Sequence, residues 1–235
     1  MSVMPGPLKL VGSGRHADVY DLGDGRVLRR YRDAAAEAGR EAGVMVHALA
    51  HGVPVPEVFD VSGADIVMEH AVGPTMLQDV TRRPWTLDRH ARLLTALHGM
   101  VHAVPALSWL RAPFGDGTVL LHTDLHPSNV ILTKAGPRLI DWQGAARGPA
   151  EADMALTWVL VATSQIPGPL VQRAVGLAGQ ALFARRYLAA AQPLAPCWLA
   201  TAARHRLSDT TVRESEAATL RRLLRSRRLA HYGPD

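Results

Sequence analysis

His122-Thr123-Asp124-Leu125-His126-Pro127-Ser128-Asn129, followed by Ile140-Asp141-Trp142, is the densest cluster of chemically active side chains in the chain. Pro127 works against regular strand or helix across it, which predicts that Asp124 and Asn129 lie on a loop between apolar runs. Beyond the loop, apolar runs at 130–132 and 139–140 flank a turn over 134–137, a pattern that predicts a hairpin bringing Asp141 back beside Asn129. Two carboxylates and an amide converging there offer hard oxygen ligands suited to a cation such as Mg2+. A carboxylate left over could accept a proton from a hydroxyl.

Upstream of this cluster, residues 1–70 read as strands around one helix. An apolar run at 8–11 leads into a glycine-rich turn, Gly12-Ser13-Gly14, and runs at 19–22 and 27–31 flank Gly23-Asp24-Gly25, an Asp-Gly hairpin signal. Residues 34–51 switch to helical period, with Ala38, Ala42, Met45, Val46 and Leu49 on one stripe. Gly39 and Gly43 each cost that helix about 1 kcal/mol. Gly52 is the expected stop, and Val53-Pro54-Val55-Pro56 forces an extended exit. Further runs at 58–61 and 66–68 flank Ser62-Gly63.

From Gly73 onward the pattern is mostly helical. Leu87, Ala91, Leu94, Leu97 and Val101 keep helical spacing, and helices resume near Asp153, Leu170, Trp198 and Val212. The expected class is α+β, with a small antiparallel-sheet lobe carrying one helix over 1–70 and a larger, mainly helical lobe over 71–235. The join is expected near residues 69–73.

A length of 235 residues with 48% hydrophobic and 20% charged residues excludes a disordered, collagen-like or coiled-coil chain. The lone Cys197 excludes an internal disulfide framework and a multi-cysteine zinc site, and reads as a packing residue. The opening MSVMPGPLKL places prolines where a secretory signal needs an apolar core, and the longest apolar stretch, 154–163, is too short to cross a bilayer. A cytoplasmic location without membrane contact is expected. The formal charge is +5, and of 26 basic residues only Lys9 and Lys134 are Lys. Thr211 with Glu214 fits a helix capping box, and Glu214 and Glu216 followed by Arg221, Arg222, Arg225, Arg227 and Arg228 complement a helix dipole. That pattern reads as a solvated helix, with a partner or nucleic-acid surface as the alternative; the aromatic-interleaved basic groove of a single-strand binder is absent from the sequence.

The motif His122-x-Asp124-x-His126-x-x-Asn129 with Ile140-Asp141-Trp142 resembles the aminoglycoside phosphotransferase and choline kinase branch of the protein-kinase-like fold. Gly12-x-Gly14-x-x-Ala17-x-Val19 is similar to its glycine-rich nucleotide loop, Val27-Leu28-Arg29 to its third strand, and Glu41 with Val44-Met45 to the helix paired with that strand. Met68-Glu69-His70 falls at the inter-lobe hinge, and Asp153-Met154-Ala155 at the element that buttresses the catalytic loop. The resemblance implies a two-lobe, Mg2+-dependent kinase that moves the γ-phosphate of ATP to a hydroxyl of a small molecule. The sequence does not choose between ATP and GTP, name the acceptor or set the oligomeric state.

Under that resemblance Asp124 would orient the acceptor hydroxyl and take its proton, while Asn129 and Asp141 would hold the Mg2+. Arg29 would contact the phosphates and be fixed by Glu41. Gly12, Ser13, Gly14, Arg15 and His16 would cover the phosphates, Val27 would line the nucleotide, and Met68, Glu69 and His70 would meet the adenine. His122, His126 and Asp153 would support the loop, with Asp153 as a helix cap. His47, His51, His90, His98, His102 and His205 read as ordinary surface or core residues.

Several positions depart from the family pattern. Arg29 stands where most kinases have Lys, and strand alternation alone leaves Arg29 or Arg30 facing the nucleotide. Ala17 replaces the third loop glycine, and Ser128 replaces a usual Gly. Trp142-Gln143 replaces the Phe-Gly of regulated protein kinases, and no segment ending in Ala-Pro-Glu is present, which favours a small-molecule acceptor. Arg29 and Ala17 motivate a nucleotide-binding pseudokinase as the alternative. A metal-dependent hydrolase built on His122, Asp124, His126 and Asp141 is a further alternative, but it leaves the N-terminal half unexplained. After Trp142 the chain holds twelve Arg against Glu151, Asp153, Asp209, Glu214, Glu216 and Asp235. That balance suits an anionic nucleotide better than a polycationic acceptor.

Overall fold

A computed structural model describes residues 8–32, 35–166, 168–191, 194–210 and 212–226. The N-terminal apolar runs pair as an antiparallel sheet of β1 (Lys9–Ser13), β2 (Ala17–Asp21), β3 (Arg26–Tyr31), β4 (Val58–Ser62) and β5 (Asp65–Glu69), in the order β1-β2-β3-β5-β4. Two more strand pairs join β6 (Val119–Leu121) to β9 (Ala146–Gly148) and β7 (Val130–Thr133) to β8 (Gly136–Leu139). Gly12 and Ser13, expected in a turn, belong to β1, where they pair with Val19 and Asp18. The turn falls instead on 14–16 and closes with Gly14 N–H donating to Ala17 O at 2.9 Å.

The single helix of this region, α1 (Ala35–Ala50), follows β3. Its buried face is Ala38, Glu41, Ala42, Val44, Met45 and Ala48. Val46 and Leu49, expected on the buried stripe, are 52% and 39% exposed. At about 100° per residue Val46 falls about 80° from Ala38, off the buried face, whereas Leu49 shares the face of Ala38 and Ala42 and is exposed in the last turn of the helix. The helix ends as expected at Gly52, whose φ is +83°. Gly52 N–H donates to Leu49 O at 2.9 Å and Val53 N–H to Ala48 O at 3.0 Å, a Schellman termination that only a left-handed residue permits without strain.

The chain forms two compact units: one runs to Pro74 and includes Val130–Gln143, and the other comprises Thr75–Asn129 and the chain from Gly144. The β7–β8 hairpin, expected with the helical lobe, therefore belongs to the first unit. Leu132 N–H donates to Pro74 O at 2.9 Å, Leu139 N–H donates to Pro54 O at 2.8 Å, and Arg138 Nε donates to Glu69 Oε2 at 3.1 Å. The hairpin approaches so closely that a Cβ on Gly73 would stand 2.2 Å from Leu132 O.

The second unit contains α2 (Met76–Arg82), α3 (Leu87–His102), α4 (Ala150–Thr163), α5 (Leu170–Ala190), α6 (Pro196–Ser208) and α7 (Glu214–Leu224). Thr75 and Gln78 cap α2 reciprocally. The expected face of α3, Leu87, Ala91, Leu94, Leu97 and Val101, is buried. The apolar stretch at 154–163 is a core helix: Ala155, Leu156, Val159 and Leu160 pack with Phe114, Leu121, Ala202, Ala203 and Leu220. Among the described residues no helix is long and apolar enough to cross a membrane. On α7, Glu214 and Glu216 occupy the first turn and Arg221 and Arg222 the last, as the charge pattern predicts. The helix starts after Arg213 with no side-chain cap; Thr211, Arg227 and Arg228 lie outside the described residues.

Candidate active site

In the first unit, strand alternation turns Val27, Arg29 and Tyr31 to one face of β3. Arg30 faces the other way and pairs with Asp65 at 2.7 Å. Arg29 is thus the inward residue. Its Nε lies 2.7 Å from Glu41 Oε2, and its Nη2 donates to Asp141 Oδ1 at 2.9 Å. Tyr31 stacks under the guanidinium, with its ring centroid 5.3 Å from Arg29 Cζ, and its hydroxyl donates to Glu41 Oε2 at 2.5 Å. Glu41 Oε1 accepts Trp142 N–H at 2.9 Å. Burial works against the Arg29 charge, but Glu41 and Asp141 outweigh it and raise its pKa further. Burial likewise pushes the Glu41 carboxyl up, with Arg29 drawing it partly back.

The same contacts aim Asp141. Its φ of +68° places it in the left-handed region, unusual for a residue with a side chain. The neighbouring Trp142 is locked by its backbone bond to Glu41 and by its indole N–H donating to Leu139 O at 3.1 Å. Ser13 Oγ donates to Asp18 Oδ1 at 2.6 Å, and Arg32 Nη1 donates to Arg15 O at 2.9 Å, so the glycine-rich turn is braced from β2 and the end of β3. Met68 pairs with Val27, and His70 N–H donates to Gly25 O at 2.8 Å. The Glu69 carboxylate is held by Arg138.

In the second unit, the 122–129 loop is built around backbone anchors. Pro127–Asn129 forms one 3-10 turn, where the sequence predicted loop throughout; the proline suits the first position of such a turn because it lacks an N–H. Asp153 takes His122 N–H at 3.0 Å and Thr123 N–H at 2.8 Å. Asp153 anchors the loop but is not the helix cap that the sequence predicted: α4 starts after Pro149, and Asp153 sits inside its first turn with its carboxylate turned to the loop. Burial alone would raise the Asp153 carboxyl, yet the hydrogen bond from His102 holds it well below the usual range. Burial lowers His98. Thr123 has φ +65° and its hydroxyl donates to Gly144 O at 2.8 Å. Thr157 Oγ1 donates to Leu125 O at 2.7 Å.

Those anchors present Asp124. Asn129 Nδ2 donates to Asp124 O at 2.9 Å and to Asp124 Oδ2 at 3.0 Å, so neither bond uses its own Oδ1. His126 Nδ1 accepts Ser128 N–H at 3.2 Å, so its proton is on Nε2, 3.6 Å from Asp124 Oδ1. His122 is fully buried and its Nδ1 accepts Asp124 N–H at 3.3 Å. Burial works to raise Asp124, but His126, His122 and Asn129 outweigh it and hold the carboxyl below its ordinary value. The result is an ionised carboxylate of fixed orientation.

Each predicted residue therefore has a defined setting within its unit. Asp124, Asn129, His122, His126 and Asp153 converge in the second unit, and Arg29, Glu41 and Asp141 in the first. Sequence reasoning missed Tyr31, Thr157 and His102. The first follows Arg29 by two positions on the same strand face, a spacing that could have found it; the other two bond across distant helices and leave no local signal. Taken each within its own unit, the Asp141 carboxylate and the Asn129 amide supply hard oxygen atoms of the kind Mg2+ prefers.

Residues 7–116 and 68–207 match the phosphotransferase enzyme family. The chain belongs to that family. Among solved structures, an ADP-bound aminoglycoside phosphotransferase, APH(2'')-Ib, superposes with a TM-score of 0.62 at 13% identity, over 95% of this chain and 93% of the other. A choline/ethanolamine kinase family protein from Mesorhizobium loti gives 0.59 at 16% identity, over 97% and 91%. These likenesses show the protein-kinase-like fold that the motifs implied. A thiamine kinase of Salmonella paratyphi B is 49% identical over 39 residues, 17% of this chain, and the match spans only 14% of that protein's length.

Proposed function

We propose that this member of the family is a small-molecule kinase that transfers the γ-phosphate of ATP to an acceptor hydroxyl. The observation that carries the reading is Asp124, an ionised carboxylate aimed by Asn129 and His126 on a loop whose amides are pinned by Asp153. Asp124 would accept a hydrogen bond from the acceptor hydroxyl, orient it in line and take its proton late, when the transferring group is already loosened. A low pKa suits that role, because orientation and late proton acceptance matter more than strong basicity.

Asn129 and Asp141 would hold Mg2+, which when bound neutralises charge on the phosphates. Arg29, kept charged by Glu41 and Asp141, would meet the α- and β-phosphates. Its planar guanidinium can bind two oxygens at once where Lys would offer a point charge. Amides of the 12–16 turn would cover the phosphates, with Val27 beside the nucleotide and residues 68–70 at the adenine. This chemistry belongs with a cytoplasmic pool of ATP and Mg2+. An acceptor that is not a polycation fits best: of the described acids after Trp142, Asp209, Glu214 and Glu216 are paired with Arg and Asp153 is buried, which leaves Glu151 as the exposed carboxylate outside those pairs.

Calorimetric titration with ATP in the presence of Mg2+ tests the nucleotide site. Wild type should bind, and Asp141→Asn should bind at least tenfold more weakly with little response to added Mg2+. Equal binding by both proteins would remove Asp141 from the proposed site.

A further inference from the structure

His98 of α3 is fully buried, and its two ring nitrogens differ in their surroundings. Nε2 lies 3.0 Å from Thr157 Oγ1. Thr157 has one hydroxyl proton and donates it to Leu125 O at 2.7 Å. A hydroxyl committed in this way can only accept, so the proton of His98 is on Nε2. The neutral ring then presents a lone pair at Nδ1, a buried atom with no hydrogen-bond partner. Nδ1 lies 3.6 Å from Asp153 Oδ2, beyond hydrogen-bond length. A lone pair facing a carboxylate oxygen in the protein interior is repulsive unless a cation lies between them.

A third donor completes the set. His102, one helical turn along α3, places Nε2 3.0 Å from the same Asp153 oxygen. The three donor atoms all lie within 4.8 Å of one another. Ligand atoms of a tetrahedral ion with bonds of about 2.1 Å are separated by about 3.4 Å, close to the two measured separations. We propose that His98 Nδ1, His102 Nε2 and Asp153 Oδ2 form a binding site for a divalent transition-metal ion of the zinc class.

Entry of the ion leaves both loop amides paired with Asp153. His102 shifts its proton from Nε2 to Nδ1 and so stays neutral. Asp153 Oδ2 exchanges the His102 bond for the ion and keeps His122 N–H, while Oδ1 keeps Thr123 N–H. The His102 side chain is 10% exposed, so the site is not wholly sealed from solvent. Two imidazoles select against Mg2+, so this site is chemically distinct from the oxygen donors proposed for the nucleotide's cation. Its ion would tie α3 to α4 directly behind the loop amides, making it a structural clamp independent of turnover.

The test uses the full chain, stripped with a chelator, dialysed and titrated with Co2+ as a spectroscopic probe. One equivalent should bind with the intense visible bands of tetrahedral cobalt, and Zn2+ should displace it. Zn2+ should also raise the melting temperature of the stripped protein, because binding to the native state stabilises it. His102→Asn should lose the bands and at least tenfold in Co2+ affinity, while His126→Asn keeps both. Absence of stoichiometric binding by wild type overturns the proposal whatever the variants do. Binding that survives His102→Asn but not His126→Asn overturns it as well, placing the ion at the 122–129 loop instead.

Discussion

Arg29 serves two carboxylates at once, and that double pairing sets the cost of losing it. The Glu41 side chain is 2% exposed, so its charge has no recourse to water if the guanidinium goes. Breaking a buried pair from one side costs about 3–5 kcal/mol, because the remaining charge stays desolvated. Arg29→Ala should lower the unfolding free energy by that amount in urea titration, and Arg29→Lys, which keeps a charge, by less. A loss under about 1 kcal/mol for Arg29→Ala would mean that Glu41 is neutral in the folded protein. The sequence narrowed this position to two adjacent arginines, since alternation says which residues share a face but not which face is inward. Asp65 opposite Arg30 decides it, and that pairing across β3 and β5 depends on register.

At the level of elements, α2 and α3 are joined through one acid. Asp79 on α2 is buried and accepts from Arg83 and from His90 Nε2, the latter at 2.7 Å. Arg83 first, then His90, hold its carboxyl below the usual value. A depressed carboxylate contributes stability that is fully present above its unfolded pKa of about 3.9 and is lost as pH falls through the lower folded value. Asp79→Asn should therefore be less stable than wild type at pH 7, and the gap should narrow below about pH 4. A gap constant across that range in denaturant titrations would show that the Asp79 charge contributes nothing. Helix faces made of large apolar residues were legible in advance, as α3 shows. On α1 the expected stripe includes the exposed Val46 and Leu49 and leaves out Glu41, Val44 and Ala48, which the helix buries. The capping box at Thr75 and Gln78 was present in the sequence but passed unnoticed, and β6 and β9, three residues each, carry too little pattern to see. The hairpin at 130–139 was visible, but not its carbonyl partners at Pro54 and Pro74, because long-range pairing is not encoded locally.

For the molecule as a whole, family membership was legible because phosphoryl transfer needs a few polar residues at fixed loop spacings, which can be read without high overall identity; the solved structures share only 13% and 16% with this chain. The acceptor was not legible, since its recognition would rest on side chains with no required spacing. The central claim is that Asp124 directs phosphate from ATP to a hydroxyl. A panel of amino alcohols, sugars, thiamine and aminoglycosides, incubated with Mg2+ and γ-labelled ATP, reads label on the acceptor directly. The account predicts transfer to at least one acceptor by wild type and a loss of about 10²–10⁴-fold in Asp124→Asn at undiminished ATP affinity. Equal transfer by the variant would contradict it, and ATP binding without transfer to any acceptor would make the protein a nucleotide-binding pseudokinase instead.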